Sequence, residues 1–132
     1  MTGTASSPKL VPNSAAGPVW DKAEALDRLA GDTELLRDLA SIFLAEYPKQ
    51  IAALREALHH RNLEVATRIA HTIKGEVSQF CANVLTETSR QIEDAGHSGD
   101  PAGMITLLPA LEIQGAALCR ELANLAGPSR DH

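Results

Sequence analysis

His71, Lys74 and Gly75 are the residues of this chain whose types and spacing could do chemistry. A neutral imidazole presents a nucleophilic ring nitrogen at physiological pH. On a helix, the residues three and four positions further on lie beside that ring. Lys74 places a flexible ammonium group there, and such a pair suits a site that holds a dianionic phosphoryl group. Gly75 is unfavourable by roughly 1 kcal/mol relative to alanine inside a helix. Its compensating property is clearance, which lets a bulky group on the imidazole, or the surface of a docking protein, approach the backbone.

These residues need a helix with one wet face, and residues 62–84 supply it. Leu63, Ala66, Ala70, Ile73, Val77 and Phe80 recur in steps of three and four, the pattern of a buried stripe. At 100° per residue, His71 projects roughly 130° from the centre of that stripe and looks outward. Ser78 lies above it with Lys74 and Gly75, and Thr67 and Glu64 lie below. Ser78 and Gln79 are candidates to donate hydrogen bonds near the ring, although a solvated face explains them almost equally well. Glu76 points away from His71 and is expected to affect partner fit more than chemistry.

The run Ala70-His71-Thr72-Ile73-Lys74-Gly75 resembles the His-x-x-Lys-Gly motif of histidine-containing phosphotransfer (HPt) domains. Leu29 to Leu36 followed by Phe43 is similar to the opening helices of that family, and Ile92-Glu93 to its later helix, so the resemblance spans roughly residues 20–125. It implies that His71 accepts a phosphoryl group from a receiver-domain aspartate and passes it to another receiver. It also implies a polar residue of the following helix, Glu93 or else Gln91, that hydrogen-bonds the ring and keeps Nε2 outward. Two departures stand out: Cys81, where the family often has glycine, and Glu76, where it usually has a small residue.

Composition bounds the rest. The 132 residues fit one domain, with 44% hydrophobic content and four aromatic residues, which favours a helical core of leucine, isoleucine and alanine. A net charge of −5 argues against nucleic acid and for protein partners. The longest uninterrupted apolar runs fall short of the roughly 20 residues that span a bilayer, so no membrane helix is expected. Cys81 and Cys119 lack metal-site spacing and read as reduced core thiols of a cytoplasmic protein. Residues 1–18, rich in Ser, Ala, Gly and Pro, read as a disordered leader or linker, 19–127 as the folded domain and 128–132 as a frayed tail.

Within the domain, Asp21 and Glu24 form a capping box for a short helix that Gly31 ends. From Asp32 to about His60 the helical spacing is continuous, and Pro48 implies either a kinked long helix, which that spacing favours, or a break near Tyr47. Asn62 caps the His71 helix, which stops between Cys81 and Asn83, with Asn83 the nearest residue tolerant of a left-handed turn. A helix from about Val84 to His97 precedes a last one that starts at Pro101 and is kinked at Pro109. The expected fold is therefore all-α: an antiparallel up-down four-helix bundle with a short additional N-terminal helix.

The functional expectation is a phosphorelay carrier, not an enzyme, since the chain has no P-loop, metal motif or triad. His59-His60 point about 100° apart and are read as solvated, so no metal site is assigned. His97 is explained by the helix C-terminal dipole. Thr67, Arg68, Val65 and Ile69, with the adjacent face of the 32–60 helix, are the expected partner contacts. Partners are response-regulator receiver domains, with a hybrid sensor histidine kinase as a further candidate. No cofactor is required, because Mg²⁺ belongs to the receiver, and one site on a complete bundle needs no second chain. The alternative is an adaptor that binds receivers without carrying phosphate.

Overall fold

The structure, a computed structural model, describes residues 19–126. The leader assigned to 1–18, the tail assigned to 128–132 and Gly127 lie outside the described residues. Among the described residues all regular structure is helical: α1 (Lys22–Arg28), α2 (Thr33–His59), α3 (Leu63–Ser78), α4 (Asn83–His97) and α5 (Pro101–Ala126).

The helices start where side chains can satisfy their first amides. Asp21 accepts from Glu24 N at 3.0 Å, Asp32 from Leu35 N at 3.0 Å, Asn62 from Val65 N at 3.2 Å, and Asp100 from Gly103 N at 3.0 Å. The expected capping box forms only in part. The Asp21 amide donates instead to Cys81 O across the fold, and the Glu24 carboxylate pairs with Arg28. With Arg28 Nη1 donating to Ser78 O at 3.2 Å, α1 is docked at both ends onto the C-terminus of α3.

Each connection closes with a left-handed residue and a six-residue hydrogen-bonded loop. Gly31 N donates to Leu26 O, Asn62 N to Ala57 O, Ala82 N to Val77 O and Asp100 N to Ala95 O. The left-handed positions before those donors are Ala30 (φ 57°), Arg61 (φ 58°), Cys81 (φ 54°) and Gly99 (φ 71°). Cys81, not Asn83, therefore makes the turn after α3, and Asn83 opens α4. Because the residue that closes one turn stands at or beside the next helix's cap, the chain reverses within three or four residues.

α2 packs on α3 and α5, α3 on α4, and α4 on α5, which closes a ring of four helices around one core. Leu54, Ala70, Ile73, Leu111, Leu118 and Leu122 are fully inside it, and each large aliphatic side chain there stabilises the fold by roughly 1.5–3 kcal/mol. The four aromatics form a continuous cluster: Trp20 meets Phe80 edge-on at 6.0 Å, Phe80 meets Phe43 at 5.6 Å, and Phe43 stacks on Tyr47 at 5.0 Å. α2 runs unbroken through the exposed Pro48. Tyr47 donates to Leu111 O at 3.0 Å, and its ring lies against the bare backbone of Gly115, tying α2 to α5.

α5 is long and apolar enough, by length and composition, to cross a bilayer, although no uninterrupted apolar run announced it. Glu112 is the sole charged residue from Pro101 to Cys119. In this fold the stripe Met104, Leu111, Leu118 and Leu122 is buried in the bundle core, while Ile105 and Ile113 face outward.

Candidate functional site

The outward face of α3 carries His71 with its side chain 64% exposed. Its position follows from the four buried residues on the opposite side of the helix, Ala66, Ala70, Ile73 and Val77. α4 runs alongside and presents Glu93, whose side chain is only 12% exposed. Glu93 Oε2 lies 2.9 Å from His71 Nδ1, and Glu93 Oε1 lies 2.8 Å from Lys74 Nζ.

One carboxylate thus holds both groups. Lys74 foremost, and His71 with it, keeps the Glu93 carboxyl below its ordinary value of 4.5 against the opposing effect of burial. An ionised carboxylate can only accept, so the bond at Nδ1 requires a proton there. In the neutral ring the lone pair is then on Nε2, the nitrogen that the bond to Glu93 leaves free. Gly75, the next residue after Lys74, has nothing within 4 Å of where a Cβ would stand, so the surface over the helix backbone there is open.

The remaining candidates separate. Ser78 donates to Gly75 O at 2.9 Å, a bond within its own helix, and the exposed Gln79 makes no side-chain hydrogen bond among the described residues. Neither is bonded to the ring, whose side-chain partner is Glu93. Gln91 is also excluded from the ring: it is exposed and donates to Glu87 at 3.2 Å. Glu76 is half-buried and faces the α2–α3 seam, where Gln50 Nε2 donates to it at 2.9 Å. Val65 and Ile69 are half-buried against the core. Arg68 is exposed and 3.5 Å from Glu64, and Thr67 rests on Gly96 of α4.

His97 is the residue that sequence reasoning assigned no chemistry. Its Nε2 lies 3.6 Å from the same Glu93 Oε2 that binds His71. The signal was present, since Glu93 and His97 are four residues apart on one helix. Beside the ring an open groove of about 530 Å³ is lined by residues that include Thr67, Arg68, Gly96 and His97.

An exposed, tautomer-fixed imidazole, a buried carboxylate behind it, an adjacent ammonium and an open approach can together accept and release an electrophilic group at Nε2. A model of the Hpt domain family matches residues 38–127, from within α2 to just past the end of α5, and leaves α1 and the Leu29–Leu36 stretch outside the match. No individual curated protein and no solved structure matches the chain. The family match covers well over half of the 132 residues and includes the whole His71 site, and the chain belongs to the Hpt domain family, whose members carry out phosphotransfer in two-component phosphorelays together with receiver domains.

Proposed function

We propose that the protein is a phosphorelay carrier that accepts a phosphoryl group on His71 Nε2 from a receiver-domain aspartyl phosphate and passes it to the aspartate of another receiver. The observation that carries this reading is the Glu93 bond at Nδ1, which directs the lone pair of the neutral ring to the exposed Nε2. The Nε2 lone pair attacks phosphorus in line, the N–P bond forms as the P–O bond to the aspartate breaks, and the aspartate leaves as carboxylate. The ring retains its Nδ1 proton and gains positive charge, which the Glu93 carboxylate stabilises. The reverse transfer to a second receiver runs through the same steps.

Charge on the transferring group is met mainly by the Mg²⁺ and lysine of the receiver, so this chain needs no cofactor of its own. Lys74 adds positive potential beside the acceptor, and the open surface at Gly75 admits the receiver loops. Arg68 and Thr67 on α3, with the exposed Leu35 and Ile42 of α2, belong to the docking face on this reading. The short connections support an antiparallel up-down arrangement of α2 to α5, since three or four residues only suffice to reverse direction. The protein acts as a monomeric carrier in the cytoplasm, without kinase activity, and serves response regulators or a hybrid sensor histidine kinase.

The test is phosphoryl transfer from a panel of phosphorylated receiver domains in Mg²⁺, comparing the protein with His71→Gln. An acid-labile, base-stable label on the parent and none on the variant is the expected result. Receiver binding without label, unchanged in the variant, would replace the carrier with a non-phosphorylated adaptor.

A further inference from the structure

Gly96 stands on α4 one turn beyond Glu93, and Thr67 stands on α3 one turn before His71. The two meet. A Cβ at position 96 would overlap Thr67 Oγ1 and lie 3.0 Å from both Thr67 Cβ and Met104 Cε of α5. Met104 can yield, since its contacting atom is the end of a flexible side chain, and Thr67 Oγ1 has two helical rotamers open to it, but Thr67 Cβ moves only with the α3 backbone. Glycine here is not explained by turn formation: the left-handed residue after α4 is Gly99, and Gly96 is not among the positive-φ positions. Close approach of two helices is what the missing side chain permits.

The bond between His71 Nδ1 and Glu93 Oε2 bridges the same two helices, one turn away from this contact. Glu93 has little slack to follow a change in spacing, because its other oxygen is tied to Lys74 and the side chain is enclosed. Thr67 and Gly96 are half-buried at the groove, and an added methyl at their contact must be accommodated by shifting the side chains or the two backbones.

We infer that Gly96 is a positioning residue: the bare backbone it offers to Thr67 sets the α3–α4 separation at which Glu93 accepts the His71 Nδ1 proton. Through that separation it controls which ring nitrogen carries the lone pair. The effect on phosphoryl transfer rests on the function proposed above, whereas the effect on the ring tautomer does not.

The experiment uses the full chain and two readouts, nitrogen NMR of the His71 imidazole at a pH where the ring is neutral, and transfer from a phosphorylated receiver. In Gly96→Ala the Nδ1–H tautomer should give way to Nε2–H and transfer should slow on the order of tenfold, as expected for a small misplacement of a reacting group. Adding Thr67→Ala to Gly96→Ala should restore the Nδ1–H tautomer and bring transfer back to the rate of Thr67→Ala alone. Thr67→Ile, which enlarges the same contact from α3, should shift the tautomer as Gly96→Ala does, and it stands in should that variant not fold. A wild-type tautomer in both enlarged variants, or a folded double variant that stays shifted, overturns the inference. A tautomer shift with no transfer in the parent protein would defeat the carrier reading and leave the positioning role in place.

Discussion

At the residue scale, the site depends on one buried carboxylate that holds both the Lys74 ammonium and the His71 ring. Glu93→Gln keeps an acceptor for the Nδ1 proton but removes the charge that steadies the ring as it becomes positive. Losing the charge from a hydrogen bond of this kind is worth about 1.5 kcal/mol, so transfer from a receiver should slow roughly tenfold. The same substitution changes acid stability. Folding lowers the Glu93 carboxyl below 4.5, so its ion pair stabilises the fold above that value and is lost as pH falls through the lower folded one. Melting temperature should therefore fall less steeply below pH 4.5 in Glu93→Gln than in the parent. Gly75 separates stability from function in the opposite sense. Nothing surrounds its missing Cβ, so Gly75→Ala should raise stability by about 1 kcal/mol through helix propensity alone. On the carrier reading it should also weaken receiver docking, and unchanged docking would show that clearance at this position is not used.

At the element scale, the reversals carry more strain than the composition suggests. Ala30, Arg61 and Cys81 all take left-handed conformations that glycine adopts freely. Arg61 is exposed and its side chain contributes no hydrogen bond among the described residues, so it isolates the backbone effect. Arg61→Gly should gain about 0.5–1 kcal/mol, the left-handed penalty less the extra freedom of the unfolded glycine. A denaturant midpoint equal to or below that of the parent would contradict this. Cys81 is a poorer test, because the same substitution would also remove a buried side chain. Burial pushes both thiols up, so neither Cys81 nor Cys119 has the thiolate character of a reactive cysteine.

At the scale of the whole molecule, the ring of four helices is closed by the α2–α5 contact, where Tyr47 covers Gly115 and donates to Leu111 O. A methyl at 115 would overlap the tyrosine ring, and overpacking of this kind is destabilising by about 1–3 kcal/mol. Gly115→Ala should lower the thermal midpoint while leaving the His71 tautomer unchanged, since the contact lies on the far side of the bundle from the α3–α4 seam. Tyr47 titrates well above the usual phenol range because of its burial, so this closure persists across the range in which the protein is assayed.

The residues by themselves determined the helices, their buried stripes and the outward histidine, because a period of 3.6 fixes which side chains share a face before any tertiary contact exists. Most caps were legible for the same reason: Asp21, Asp32 and Asn62 bind amides within three residues of themselves. Tertiary structure decided what depends on two helices at once. The Asp21 amide went to Cys81 and not to a capping box, Glu76 turned into the α2 seam, and Ser78 and Gln79 stayed away from the ring. Whether Glu93 or Gln91 reached His71, and that His97 would share the same oxygen, followed from the rotation and spacing of α4 against α3, which no single-helix periodicity specifies. That spacing is set where Thr67 meets Gly96, two residues 29 positions apart in the chain that only the packed bundle brings together.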